Sequence, residues 1–170
     1  MSVLPREAVR LGLAAASKEE AILATGRILE ELGAVQPGYA DAMLERELTM
    51  STSLGEGFAI PHGTDESRVL INRTALSFAQ FPAGVDWEVD TVFVCMGIAA
   101  RDDEHIEVLA SLANVLIEPA QAERLRQASD PDVVLGVLAP ALDASVAPEA
   151  SVQNESKEAA NQQRATALPG

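Results

Sequence analysis

Apolar residues first recur at helical spacing and then gather into short unbroken runs. Ala21, Ile22, Thr25, Ile28, Leu29 and Leu32 fall at the three- and four-residue intervals of one helix face. Ser17 and Glu20 form a Ser-x-x-Glu capping box ahead of that face, and Gly33 stands where a left-handed glycine closes a helix. Pro37 opens a second helical pattern, PGYADAMLERE, in which Tyr39, Met43 and Arg46 share a face. Glycines 55 and 57 break it. FAIP then predicts a short strand, and RTALSFAQF and DTVFVCMGIAA predict two longer buried strands. Next, DDEHIEVLASLANVLI predicts a helix with Leu109, Leu112 and Leu116 on its apolar face. PAQAERLRQA and PDVVLGVLA predict two shorter helices, the second with Asp130 as cap and Pro131 as first residue. This alternation predicts an α/β domain over residues 1–142, a mixed β-sheet flanked by helices on both faces. From Asp143 onward the periodicity stops and Ala, Ser, Gln, Asn, Glu and Pro dominate. Such a segment buries too little surface to offset its ordering entropy, so 143–170 is predicted to be a disordered tail or linker.

Composition narrows the partners. Apolar residues make up 48% of the chain but aromatic ones only 4%, so the core rests on Ala, Val, Leu and Ile. A net charge of −14 argues against nucleic acid, whose affinity depends on Lys and Arg neutralising phosphates, and against anionic membranes. It permits a basic protein partner steered in by the field. No apolar run approaches the ~20 residues of a membrane span, and the N-terminus lacks the apolar core of a secretory signal. The lone Cys95 lies in the run VFVCMGIAA and reads as a small core hydrophobe. A cytoplasmic protein without membrane insertion is expected.

The candidate chemistry centres on two histidines, His62 and His105. His62 follows Pro61 at the carboxyl end of the FAIP strand, and His105 opens the helix that follows DTVFVCMGIAA. Ligands of open α/β sheets bind at such carboxyl ends, so neighbouring strands would turn both imidazoles into one crevice. A neutral imidazole offers a lone pair and acts as a nucleophile. Gly63 removes a Cβ that would obstruct an incoming electrophile, and the Thr64 hydroxyl can bond a ring nitrogen or an anion. The guanidinium of Arg46 is the best local cation for a phosphoryl group, whose transfer needs little beyond positioning and charge stabilisation. Blander readings compete: a histidine after proline is often a turn residue, His105 can simply cap its helix, and Arg46 can sit in an ion-pair ladder with Glu45 and Glu47. No closely spaced ligand set favours a metal, and no Gly-x-Ser-x-Gly elbow favours a serine hydrolase.

The segments AVRLGLAAASKEEAI, PGYADAMLERE, STSLGEGFAIPHGTDESR, GVDW and VFVCMGIAARDDEHIEVLASLANVL together resemble the mannitol-type enzyme IIA domain of the bacterial phosphoenolpyruvate-dependent sugar phosphotransferase system, over roughly residues 3–138. IPHGT belongs to the wider mannitol and fructose class, including its nitrogen-regulatory branch, whereas MLERE and the DDEH segment point to the mannitol branch. The resemblance implies that His62 accepts a phosphoryl group on Nε2 from the phosphohistidine of HPr and passes it to the cysteine of a IIB domain. It further implies that His105 and Arg46 support the imidazole and the phosphate, with neither metal nor other cofactor. Phe58, Ile60 and Ala99 are expected to supply flat apolar contact around the site. Two departures stand out: relatives commonly have Asn and Ile where this chain has Glu56 and Phe58, and a carboxylate near the site would repel phosphate. Three functions follow: a phosphocarrier of a mannitol-type uptake system, a nitrogen-type regulatory module switched by phosphorylation of His62, and a metal-dependent hydrolase.

Overall fold

The computed structural model describes residues 2–101 and 104–146. Its elements in chain order are β1 (Val9–Arg10), α1 (Lys18–Glu31), α2 (Tyr39–Thr49), β2 (Ser53–Gly55), β3 (Phe58–Ala59), β4 (Ala75–Asp86), β5 (Thr91–Ala99), α3 (Glu104–Leu116), α4 (Pro119–Arg126) and α5 (Pro131–Val146). The five strands form one mixed sheet in the order β1-β4-β5-β3-β2. The β4–β5 and β2–β3 pairs are antiparallel, whereas β1–β4 and β3–β5 run parallel.

The predicted α/β architecture is the one observed, with helices on both faces of the sheet. Side chains on β4 alternate between those faces. Ser77 donates to the Thr25 carbonyl of α1 at 2.9 Å. Gln80, three positions on and therefore on the opposite face, donates to the Arg126 and Ala128 carbonyls at the end of α4. Gly97 lets α1 lie close on the first face, since a Cβ there would come within 2.8 Å of Thr25 Cγ2.

Local signals account for the helix ends. Ser17 Oγ accepts the Glu20 amide at 3.2 Å, the forward half of the capping box, while Glu20 Oε2 reaches one residue further back and accepts the Ala16 amide at 3.1 Å. Gly33 takes φ +70°, and the amides of Gly33 and Ala34 bond back to Glu30 and Leu29 in a Schellman turn. Helix α2 starts at Tyr39 rather than at Pro37, because Gly38 adopts φ +103° just before it. On α3 the fully buried positions are Val108 and Leu112, with Leu109 and Leu116 only half-buried. The apolar face is thus rotated from the expected one, and it carries His105 in line with Val108 and Leu112. Asp130 Oδ1 accepts the Asp132 amide at 2.8 Å and starts α5 as anticipated. That helix continues past Pro140 to Val146, beyond the PDVVLGVLA pattern and four residues into the segment expected to be a tail. The rest of that segment, 147–170, lies outside the described residues, as do Asp102 and Asp103 of the DDEH segment.

Two strands escape the periodicity. β1 and β2 have two and three residues, too short for a pattern to register. The β2–β3 turn is built from Gly55, Glu56 and Gly57, all at positive φ (83°, 56° and 88°). A left-handed backbone suits Asn better than Glu. Glu56 is exposed at the start of β3, the end away from His62, and its carbonyl accepts Arg126 Nη1 at 2.7 Å. The condition attached to its carboxylate, proximity to the site, is therefore not met.

Candidate functional site

The parallel pairing of β3 with β5 sets the site. Beyond Pro61 it continues as an isolated bridge between His62 and Ile98, with the Ile98 amide donating to the Pro61 carbonyl at 2.9 Å. His62 therefore leaves the sheet beside the strand that leads toward α3, and the first turn of α3 returns His105 to it. Their ring centroids are 4.9 Å apart at an interplanar angle of 57°. Both imidazoles border a cavity of about 290 Å³ whose wall also includes Tyr39, Arg46, Gly63, Thr64, Asp65 and Arg68.

Hydrogen bonding assigns the His62 tautomer. Nδ1 lies 2.9 Å from the Ile60 carbonyl, an acceptor only, so Nδ1 carries the proton and Nε2 the lone pair. Burial lowers the His62 pKa, with the Arg46 charge acting in the same direction against the opposing pull of the Ile60 bond. The ring is thus held neutral near pH 7. His105 is shifted down as well, by burial first and then by His62, Arg68 and Arg46. Its Nε2 is buried and has no hydrogen-bond partner among the described residues.

Arg46 belongs to the cavity wall rather than to a ladder with Glu45 and Glu47. Its Nη1 donates to the Met50 carbonyl at 3.0 Å, tying the guanidinium to the end of its own helix. Arg68, in the short 3₁₀ turn Glu66–Leu70, adds a second guanidinium and pairs with Asp65 at 3.4 Å. In a chain of net charge −14 the crevice is a local gathering of cations. Sequence reasoning passed over Arg68 because an arginine six residues after the histidine looks like any exposed turn residue until the turn folds back.

Two of the expected site residues are also held by packing and hydrogen bonds. At Gly63 a Cβ would meet Ser67 Oγ and lie 2.6 Å from Tyr39 Cε2, so packing by itself requires a glycine there. Thr64 borders the cavity and its oxygen accepts the Ser67 amide at 3.3 Å; of its two expected partners, a ring nitrogen or an anion, Nδ1 of His62 bonds Ile60 instead. Tyr39, assigned only a helix face, proves central. Its hydroxyl donates to the Ile98 carbonyl at 2.8 Å and accepts the Gly63 amide at 3.0 Å, clamping α2 onto the segment that carries His62. Burial raises its pKa, keeping the phenol protonated as that donation requires.

The expected apolar contact surface is also corrected. Phe58, Ile60 and Ala99 are 0%, 9% and 0% exposed, because both strands are interior to the sheet and covered by helices. The exposed apolar side chains next to site residues are Leu48 and Met50 after Arg46, Val69 after Arg68 and Ile106 after His105. Cys95 is fully buried and its thiol is pushed up to about 12, mainly by desolvation, as befits a core residue. Among the described residues no helix is long and apolar enough to cross a membrane, and no three metal-ligating side chains cluster.

Comparison with known proteins decides the lineage of this site. The profile of the family described as "Phosphoenolpyruvate-dependent sugar phosphotransferase system, EIIA 2" matches residues 2–140. The chain belongs to that EIIA family. It is 39% identical over 137 residues to the mannitol-specific phosphotransferase enzyme IIA component of Halalkalibacterium halodurans, covering 81% of this chain and 94% of that protein. It is 43% identical over 139 residues to the mannitol-specific EIICBA component of Vibrio cholerae, covering 80% of this EIIA chain but 21% of that longer protein. Among solved structures, the Escherichia coli complex of enzyme IIA mannitol with phosphorylated enzyme IIB contains a chain that matches with a TM-score of 0.77 and 42% identity. That match covers 82% of this chain and 99% of the other. The EIIA fold is therefore shared, and the pair of histidines sits where its β3 and β5 strands end.

Proposed function

We propose that this EIIA domain is the phosphocarrier of a mannitol-type sugar phosphotransferase system, working in the cytoplasm, with His62 Nε2 as the acceptor. One observation carries the reading: the hydrogen bond from His62 Nδ1 to Ile60 leaves Nε2 unprotonated at a cavity that also holds His105, Arg46 and Arg68. In the forward step the Nε2 lone pair attacks phosphorus of the donor phosphohistidine of HPr. The P–N bond to the donor ring breaks, and its electron pair returns to that ring. The His62 ring becomes cationic as the new P–N bond forms, and the Ile60 carbonyl stabilises the Nδ1–H⁺. The same positive charge makes the ring a good leaving group when the IIB cysteine thiolate attacks phosphorus, so transfer is reversible without a metal. Arg46 and Arg68 neutralise the equatorial oxygens of a loose transition state. His105, tilted against His62, buttresses the reacting ring. The apolar residues Met50, Val69 and Ile106 form the dry part of a transient contact for each partner in turn.

Incubation with phosphoenolpyruvate, enzyme I and HPr, followed by mapping of the acid-labile phosphate, tests this reading. Label on His62 that a mannitol-type IIB domain discharges is expected, with His62→Ala unlabelled and His105→Ala or Arg46→Ala slow. Label on a His62→Ala protein overturns it. Phosphate on His62 that no IIB domain removes supports the regulatory alternative instead.

A further inference from the structure

The last turn of α2 sends two neighbouring side chains in opposite directions. Successive helical residues are about 100° apart, so Arg46 reaches the cavity while Glu47 turns inward, where its side chain is 3% exposed. A buried carboxylate is costly unless it is fully hydrogen-bonded, and Glu47 is supplied from three separate parts of the fold. Lys18 Nζ, at the start of α1, lies 3.2 Å from Oε1 and 5.7 Å from the centroid of the Trp87 ring. Trp87 Nε1, beyond the end of β4, donates to Oε1 at 2.9 Å. Thr52, in the segment entering β2, donates its amide to Oε2 at 3.0 Å and its hydroxyl to the same oxygen.

From Thr52 the bonding runs onward to the reacting ring. The Thr52 carbonyl accepts the Ile60 amide at 3.0 Å, and the Ile60 carbonyl accepts His62 Nδ1–H at 2.9 Å. Glu47 thus stands at the head of a chain, Glu47–Thr52–Ile60–His62, and one peptide bond from Arg46. We propose that Glu47 is a positioning residue for phosphoryl transfer, fixing through Thr52 and Ile60 the carbonyl that orients His62, and through the helix end the guanidinium of Arg46. This rests on the reading of His62 as the phosphoryl acceptor. Glu47 is buried and lies outside the wall of the histidine cavity. Its loss therefore loosens the geometry of the reacting ring and one cation together, while leaving the docking surface intact.

The test is Glu47→Gln, which keeps the shape but presents an NH₂ group to donors that need an acceptor. Single-turnover transfer from phospho-HPr is followed at increasing donor concentration, and the His62 ring is observed by nitrogen-15 NMR. The limiting rate constant is expected to fall on the order of tenfold or more, since small misplacements of reacting groups carry penalties of that size. The half-saturating donor concentration stays within about twofold, the signature of an effect on the bound complex alone. The His62 nitrogen signals move toward a mixed tautomer population. Should Glu47→Gln fail to fold, Thr52→Val carries the test, removing the hydroxyl donor while keeping the backbone amide, with the same direction of change. A folded Glu47→Gln protein with wild-type rate and unaltered ring signals overturns the proposal. Wild-type protein labelled elsewhere than His62 overturns the acceptor reading instead, so the two failures are distinct.

Discussion

Removing one oxygen from Tyr39 measures how firmly the histidine-bearing segment is held. Tyr39→Phe deletes the hydroxyl that donates to the Ile98 carbonyl at 2.8 Å and accepts the Gly63 amide at 3.0 Å, leaving the ring in its buried slot. The two abandoned groups fare differently. Ile98 is 0% exposed, so its carbonyl loses a partner that water cannot replace, at a penalty of ~1–3 kcal/mol. Gly63 is only half-buried and borders the cavity, so its amide regains water and contributes about 0.5–1 kcal/mol. Partial pairing of the two across the parallel bridge recovers some of the loss, which sets the expectation near 2 kcal/mol. For a domain of this size that lowers Tm by roughly 4–8 °C. Urea unfolding of wild type and variant reads the loss as a lower midpoint at unchanged slope, and amide exchange at Gly63 quickens. A loss under about 0.5 kcal/mol, with Gly63 exchange unchanged, refutes the clamp.

The histidines make stability depend on pH in a definite direction. Burial lowers both pKa values below the ordinary 6.5, so the unfolded chain binds protons that the folded one resists. Their contribution is full above 6.5, declines as pH falls through that value, and is gone below the lowered folded pKa values. Chemical denaturation from pH 8 to 5 checks this, and His62→Gln with His105→Gln should flatten the slope. Gly63→Ala is expected to cost ~1–3 kcal/mol by overpacking against Tyr39 and Ser67. Its midpoint in urea measures that, and a neutral result places the Cβ in free space and contradicts the observed packing.

Much of this protein was legible along the chain. The capping box at Ser17, the glycine stop at 33, the Asp130–Pro131 start and the two long strands are local or periodic features, decided by which backbone groups need partners and which faces avoid water. The two histidines, their strand-end placement and Arg46 as the nearby cation could be named from residue types and order. Other properties belong to the folded molecule. β1 and β2 exist only because the edges of β4 and β3 offer them hydrogen bonds. Phe58, Ile60 and Ala99 are interior because the sheet order puts their strands between neighbours and under helices, which no spacing along the chain reveals. Arg68, Tyr39 and Glu47 acquire their places through contacts among residues far apart in sequence, such as the 59 positions separating Tyr39 from Ile98. Periodicity records a residue's distance from water. Its distant partners are settled by three-dimensional closure: the His62 tautomer follows from a bond two residues back, but His105, Arg46 and Arg68 reach the ring only through the fold.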